Sequence, residues 1–127
     1  MTPATMTAVA LDAAGSATRP VYTLQTAPGE SATAPFVNQH ADGSAYNLTG
    51  CTVTMTVYMG KQLVKRVVAT VDTAASGTCH VDLATISSGL RPDTYAWDLW
   101  LVDANLGKSF QVIGPSTWAI GYDERSP

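Results

Sequence analysis

From Cys51 onward the stretch "YNLTGCTVTMTV" and its continuation alternate strictly. Cys51, Val53, Met55, Val57 and Met59 fall on one side, and Thr52, Thr54, Thr56 and Tyr58 on the other. A period of two over this length is the signature of a half-buried β-strand, because successive side chains project to opposite faces of a sheet. The pattern recurs. At 78–83, Cys79, Val81 and Leu83 oppose Thr78, His80 and Asp82. At 95–103, Tyr95, Trp97, Leu99 and Leu101 oppose Asp98, Trp100 and Val102. No window sustains a helical period over three turns, so the chain is read as all-β.

Turn residues separate further strand-like segments. Residues 21–26 place Tyr22 and Leu24 on one face, before Pro28-Gly29. Residues 32–39 form a weaker strand containing Pro35, which predicts an edge position because proline cannot donate to a ladder. Asp42-Gly43 marks a turn, Gly60-Lys61 closes a hairpin, and 63–72 returns as one β-branched strand. A small-residue turn at 74–77 and a short helical turn or loop at 86–92 follow. "DANLG" joins two further strands, the second broken at Gly114-Pro115 and resumed over 117–122. Seven to nine short strands with turns every eight to twelve residues indicate a two-sheet antiparallel β-sandwich. At 127 residues the chain has the size of one domain, able to bury roughly two thirds of its unfolded surface. The division expected is an extended N-terminal arm at 1–18, a sandwich at 19–122 and a tail at 123–127. The arm is rich in Ala and Thr and too poor in bulky apolar residues to hold a shape alone.

Charged residues make up 13% of the chain, about half the usual share. The exterior must therefore be built from Thr, Ser, Ala, Asn and Gln, which cost little to desolvate against a partner. Net charge is −3, and the seven basic residues are scattered apart from the group between Lys61 and Arg66. Nucleic-acid binding needs a basic face, so no such partner is expected. No apolar run approaches a membrane span, and no membrane partner is expected. The N-terminus has no basic region and its apolar stretch is interrupted by Asp12, so no signal peptide is expected. The sequon Asn47-Leu48-Thr49 is accordingly read as coincidental.

Reactive chemistry is sparse. Cys51 and Cys79 lie on apolar strand faces, where they are either a pair pinning two strands or, the favoured reading, free thiols acting as small hydrophobes. The two histidines, His40 and His80, have no second histidine at ligand spacing. A zinc site needs three or four convergent ligands, so no metal and no cofactor is expected. Glu30 and Glu124 are the only glutamates, and several aspartates border turns where turn chemistry places them. With no nucleophile elbow and no phosphate loop, no catalytic residue is assigned and the chain is read as non-enzymatic.

The aromatic residues divide by strand parity. Trp97 shares its face with Tyr95, Leu99 and Leu101 and is assigned to the core. Trp100 falls on the opposite face, and three roles stay open for it: cover by the N-terminal arm, burial at a subunit contact, or stacking on a sugar. Trp118 and Tyr122 admit the same options. Exposed aromatics anchor interfaces well. The interface candidates are therefore Met1, Thr2, Met6, Val9 and Leu11 of the arm, with Trp100, Trp118 and Tyr122.

In order, the chain presents Asp42-Gly43, "NLTGCTVTMTV", a hairpin, "ATVDTAASGTCHVDL", "GLRPDTYAWDLWLVD" and a last strand near Gly114. This succession, spanning about residues 19–114, resembles the immunoglobulin-like N-terminal domain of phage baseplate upper proteins and related tail and fibre attachment modules. One departure is Asp93-Thr94, where that pattern has Gly just before the residue matching Tyr95. The resemblance implies an immunoglobulin-like sandwich and a non-enzymatic, virion-located role. The expectation is a multi-copy decoration or adaptor protein fastened to the capsid or tail. Its partners would be other phage structural proteins and copies of itself, with the arm lying along a neighbour. The alternative is a glycan-binding or host-recognition module using Trp100, Trp118 or Tyr122 as stacking platforms.

Overall fold

The computed structural model describes residues 5–10, 20–27 and 30–121. Alternating segments pair as the period-two pattern requires, and among the described residues nine strands form two sheets. One sheet has the order β1-β3-β7-β6, comprising Met6–Ala10, Thr33–His40, Thr78–Asp82 and Thr70–Thr73. The other has the order β2-β9-β8-β4-β5, comprising Thr23–Thr26, Lys108–Ile120, Asp93–Asp103, Cys51–Met59 and Gln62–Val68. Their apolar faces meet in one core. Phe36 of the first sheet lies 6.2 Å, centroid to centroid, from Trp97 of the second. Ala8, Ala10 and Ala34 are buried alongside the bulkier Trp97, Leu99, Ile113 and Trp118. Small residues set opposite large ones across the two sheets let the layers interdigitate.

The sandwich is as expected, and the pairing differs in one respect. Two pairs are parallel: β1 with β3 and β2 with β9. Each is an outermost pair on its sheet, while the inner ladders β3–β7, β4–β8 and β8–β9 are antiparallel.

Part of the N-terminal arm is built into the fold. Met6–Ala10 is an edge strand whose Met6, Ala8 and Ala10 are buried. The phenol of Tyr22 accepts from the Thr7 N–H at 2.8 Å and donates to the Thr7 carbonyl at 3.3 Å. An edge strand presents unpaired backbone groups, and here a side chain satisfies two of them.

Proline placement follows from backbone direction. β3 is an interior strand, contrary to the edge position expected from Pro35. The Asn38 N–H reaches the Gly77 carbonyl, so alternate residues 34 and 36 also direct their amides toward β7. The Pro35 nitrogen therefore faces the β1 side, and the β1 ladder begins only at Phe36. No ladder bond is lost. Gly114-Pro115 does not break the last strand either. Both residues stand opposite Asp98 alone, between the pairs Trp97–Ser116 and Leu99–Ile113, which is a β-bulge with proline as its extra residue.

The segment expected as one strand at 63–72 divides at Ala69. β5 edges the five-stranded sheet, and β6 edges the other. Buried Ala69 forms the corner, donating its N–H to the Val53 carbonyl at 2.8 Å. One continuous segment thus borders both layers. A 3₁₀ turn at Ala74–Ser76 and Gly77 lead into β7. The short helix α1, Leu83–Ser87, then passes the chain between sheets, with Asp82 accepting from Ala84 N–H as its cap and Leu83 and Ile86 buried.

Candidate functional site

The outer face of the five-stranded sheet answers why β4 carries threonine there. Register places Thr54 between Val68 of β5 and Trp100 of β8, and Thr56 between Arg66 and Asp98. Trp100 in turn pairs with Gln111, and Val102 with Ser109. These cross-strand rows enclose an open groove of about 430 Å³ lined by Thr54, Thr56, Tyr58, Arg66, Trp100, Val102 and Ser109. That volume lies within the roughly 300–1,000 Å³ of small-ligand clefts. Short β-branched hydroxyl residues keep the strand regular while leaving space above it. A lysine-rich face would have filled it.

Trp100 is 37% exposed, and Val68 and Val102 beside it are 62% and 41% exposed. Beneath this row, Asp98 is only 7% exposed although it shares the outer face. Its Oδ2 accepts from Gln111 Nε2 at 3.1 Å, and its Oδ1 has no hydrogen-bond partner. Burial pushes its carboxyl pKa up, opposed by Gln111 and by the Trp100 indole, whose N–H is turned toward the carboxylate. A buried acceptor costs free energy unless satisfied. The half-satisfied Asp98 carboxylate thus lies beside Trp100 on the groove side of the sheet. Two irregularities of register in β9 flank Ile113 at this level, and such bulges re-aim neighbouring side chains.

The interface candidates fall into three groups. Trp100 is on the groove, and Val9 is half-buried on edge strand β1. Met6 and Trp118 are turned inward, a correction to their assignment. Trp118 is 0% exposed and its indole donates to the Thr26 hydroxyl at 3.0 Å, because β9 continues through the bulge and keeps the residue on the core face. Met1, Thr2, Leu11 and Tyr122 lie outside the described residues. Arg66, Tyr58 and Asp98 were not singled out from sequence. The parity of β4 and β8 puts Tyr58 and Asp98 on the Trp100 face, but only strand pairing brings Arg66 there.

Elsewhere the polar side chains serve structure. His40 stacks on Tyr46 at 4.4 Å, and the Tyr46 hydroxyl donates to Asp103 Oδ2 at 2.6 Å. This bond is the main reason the Asp103 carboxyl titrates below its ordinary range. His80 Nδ1 lies 2.8 Å from Asp72 on the surface. Both cysteines are free, one in each sheet, and burial pushes the Cys79 thiol up to about 11. A thiol so raised is a poor nucleophile at neutral pH. Among the described residues, no three His, Cys, Asp or Glu side chains converge on a metal position, and no helix is long and apolar enough to cross a membrane.

No family model and no curated protein matches the chain. Among solved structures, it is similar to the N-terminal domain of phage TP901-1 ORF48, with a TM-score of 0.61. The match covers 96% of this chain and 100% of that one at 11% sequence identity. At that identity the likeness is one of fold.

Proposed function

We propose that the protein is a non-enzymatic structural module of a bacteriophage particle, an immunoglobulin-like sandwich present in several copies and held by protein–protein contacts. The observation that supports this most is the fold shared, over nearly the whole chain, with the N-terminal domain of a phage protein. The sequence motifs between Asp42 and Gly114 favour the same reading through their resemblance to baseplate upper proteins, and that resemblance supports a place in the virion. A weakly charged exterior suits it as well, since few ions lose hydration when neighbours close over the surface. Decoration of the capsid and an adaptor role in the tail are both consistent with a compact sandwich, and other phage structural proteins or further copies are its partners.

Attachment falls to surfaces that the fold leaves available. Val9 on edge strand β1 is one candidate; Met1, Thr2, Leu11 and Tyr122 remain candidates from the sequence alone. Removing residues 1–18 would also strip strand β1 from its sheet, so truncation would confound attachment with folding. The cleaner experiment is quantitative mass spectrometry of purified particles from a lysogen or lytic stock encoding the chain. Recovery at several copies per particle, together with loss of occupancy on Val9→Asp while the soluble protein keeps its unfolding midpoint, is the expected result. Absence from washed particles would overturn the proposal.

A further inference from the structure

We propose that the groove around Trp100 binds an anionic pyranose. The sugar's apolar face stacks on the indole, its carboxylate or phosphate meets Arg66, and its hydroxyls bond to Thr54, Tyr58 and Ser109. The proposal rests on the groove itself, independently of any role in a particle.

Four observations converge on it. The lining sets one indole among four hydroxyl-bearing side chains, a mixture that matches a ring with C–H groups on one face and hydroxyls around its edge. Arg66 is the only charged residue on that lining and makes no ion pair with a described residue. Its planar guanidinium presents donors in the fork geometry that suits carboxylate or phosphate. The indole stands next to Asp98 on the same strand face, and the buried Asp98 carboxylate is only half-satisfied and draws on the indole electrostatically. A neighbour that restrains the indole lowers the ordering cost of binding. Finally, a protein hot spot is typically a dry apolar pocket. Here Trp100 stands instead between Thr54 and Gln111, with Ser109 next on the same face of β9. Exposed Val68 and Val102 add apolar surface nearby, and this mixture of polar neighbours with limited apolar area suits a hydroxyl-rich ring better than an apolar side chain.

Fluorescence isolates this site. Trp97 and Trp118 are fully buried, so a ligand at the surface reports through Trp100. The probes are methyl uronides of the gluco, galacto and manno series, their neutral parent glycosides, and sodium acetate. At least one uronide is expected to give a saturable change in emission. Its midpoint should be about fivefold lower than that of its neutral parent, the margin of a charge-assisted over a neutral hydrogen bond. Arg66→Gln should erase that margin while leaving the neutral sugar's midpoint in place. Trp100→Ala should abolish heat release in calorimetric titration with the same uronide. Asp98→Ala, as a change in a positioning residue, should weaken the uronide and its neutral parent equally. Three results would overturn the proposal. One is a flat response to all six glycosides, and another is an equal response to acetate. The third is a change in Trp100 emission that follows protein concentration without sugar, which would assign the groove to contact between copies.

Discussion

Replacing Gly77 with alanine tests the close backbone approach that closes the β3–β7 ladder at its loop end. Gly77 has φ +73° in the left-handed region, and a Cβ built on it would lie 2.4 Å from the Asn38 carbonyl oxygen and 2.9 Å from that of Tyr46. Both obstacles are backbone, so neither can rotate away. The left-handed conformation alone costs a non-glycine residue about 1–2 kcal/mol. Displacement adds to this, because the Gly77 carbonyl accepts from both the N–H of Asn38, at 2.7 Å, and its Nδ2, at 3.0 Å. Asn38 is fully buried, and two buried hydrogen bonds stretched or broken cost about 0.5–1.5 kcal/mol each. The sum is about 2–5 kcal/mol, centred on about 3.5, a large part of the roughly 5–15 kcal/mol that holds a domain folded.

Gly60→Ala is the internal control. Its φ of +62° is also left-handed, but nothing lies within 4 Å of the added Cβ, so it isolates the conformational cost of about 1–2 kcal/mol. Urea unfolding followed by tryptophan fluorescence should lower the midpoint by about 2 M for Gly77→Ala and by about 0.5–1 M for Gly60→Ala, with the slope unchanged. Midpoints for the two variants within about 0.3 M of each other would refute the steric argument.

Further outcomes concern single bonds. Tyr22→Phe should cost about 1 kcal/mol and speed amide exchange at Thr7, because the capped edge of β1 reopens; unchanged exchange there would count against the cap. Trp118→Phe should cost about 2–3 kcal/mol in thermal or urea unfolding, through a small void and an orphaned Thr26 hydroxyl. Asp103 titrates below its ordinary value of 3.8 chiefly because of the Tyr46 hydroxyl. Its stabilising contribution is therefore complete above that value and lost as pH falls through the depressed folded one. Tyr46→Phe should shrink the loss, visible in urea midpoints taken from about pH 5 to about pH 2. Asp98 carries the opposite sign. Its raised pKa means that stability falls as pH rises from 3.8 through the folded value, and Asp98→Asn should remove that slope.

Parity explains what could be read in advance. Tyr95, Trp97, Leu99 and Leu101 point inward, as do Val53, Met55 and Val57, because alternation along a single strand is local and survives any pairing. Trp118 misled for the complementary reason. Gly114-Pro115 resembles a break in one dimension, and only the facing strand reveals a bulge that carries β9 through. Pro35 misled likewise, since which side a missing N–H faces, and whether a neighbour reaches that far, is a property of two strands together.

Composition and period alone determine an all-β chain with a lightly charged surface, a Trp97-centred interior and a threonine face on β4. These are properties of single residues and of spacing within one strand. Tertiary structure decided which strands lie side by side. It made two pairs parallel, drew Met6–Ala10 into the sheet, and set Arg66 across the groove from Trp100. Such arrangements depend on contacts between residues far apart in the chain, whose closure is selected by the packing of the whole core rather than by any segment's own preference.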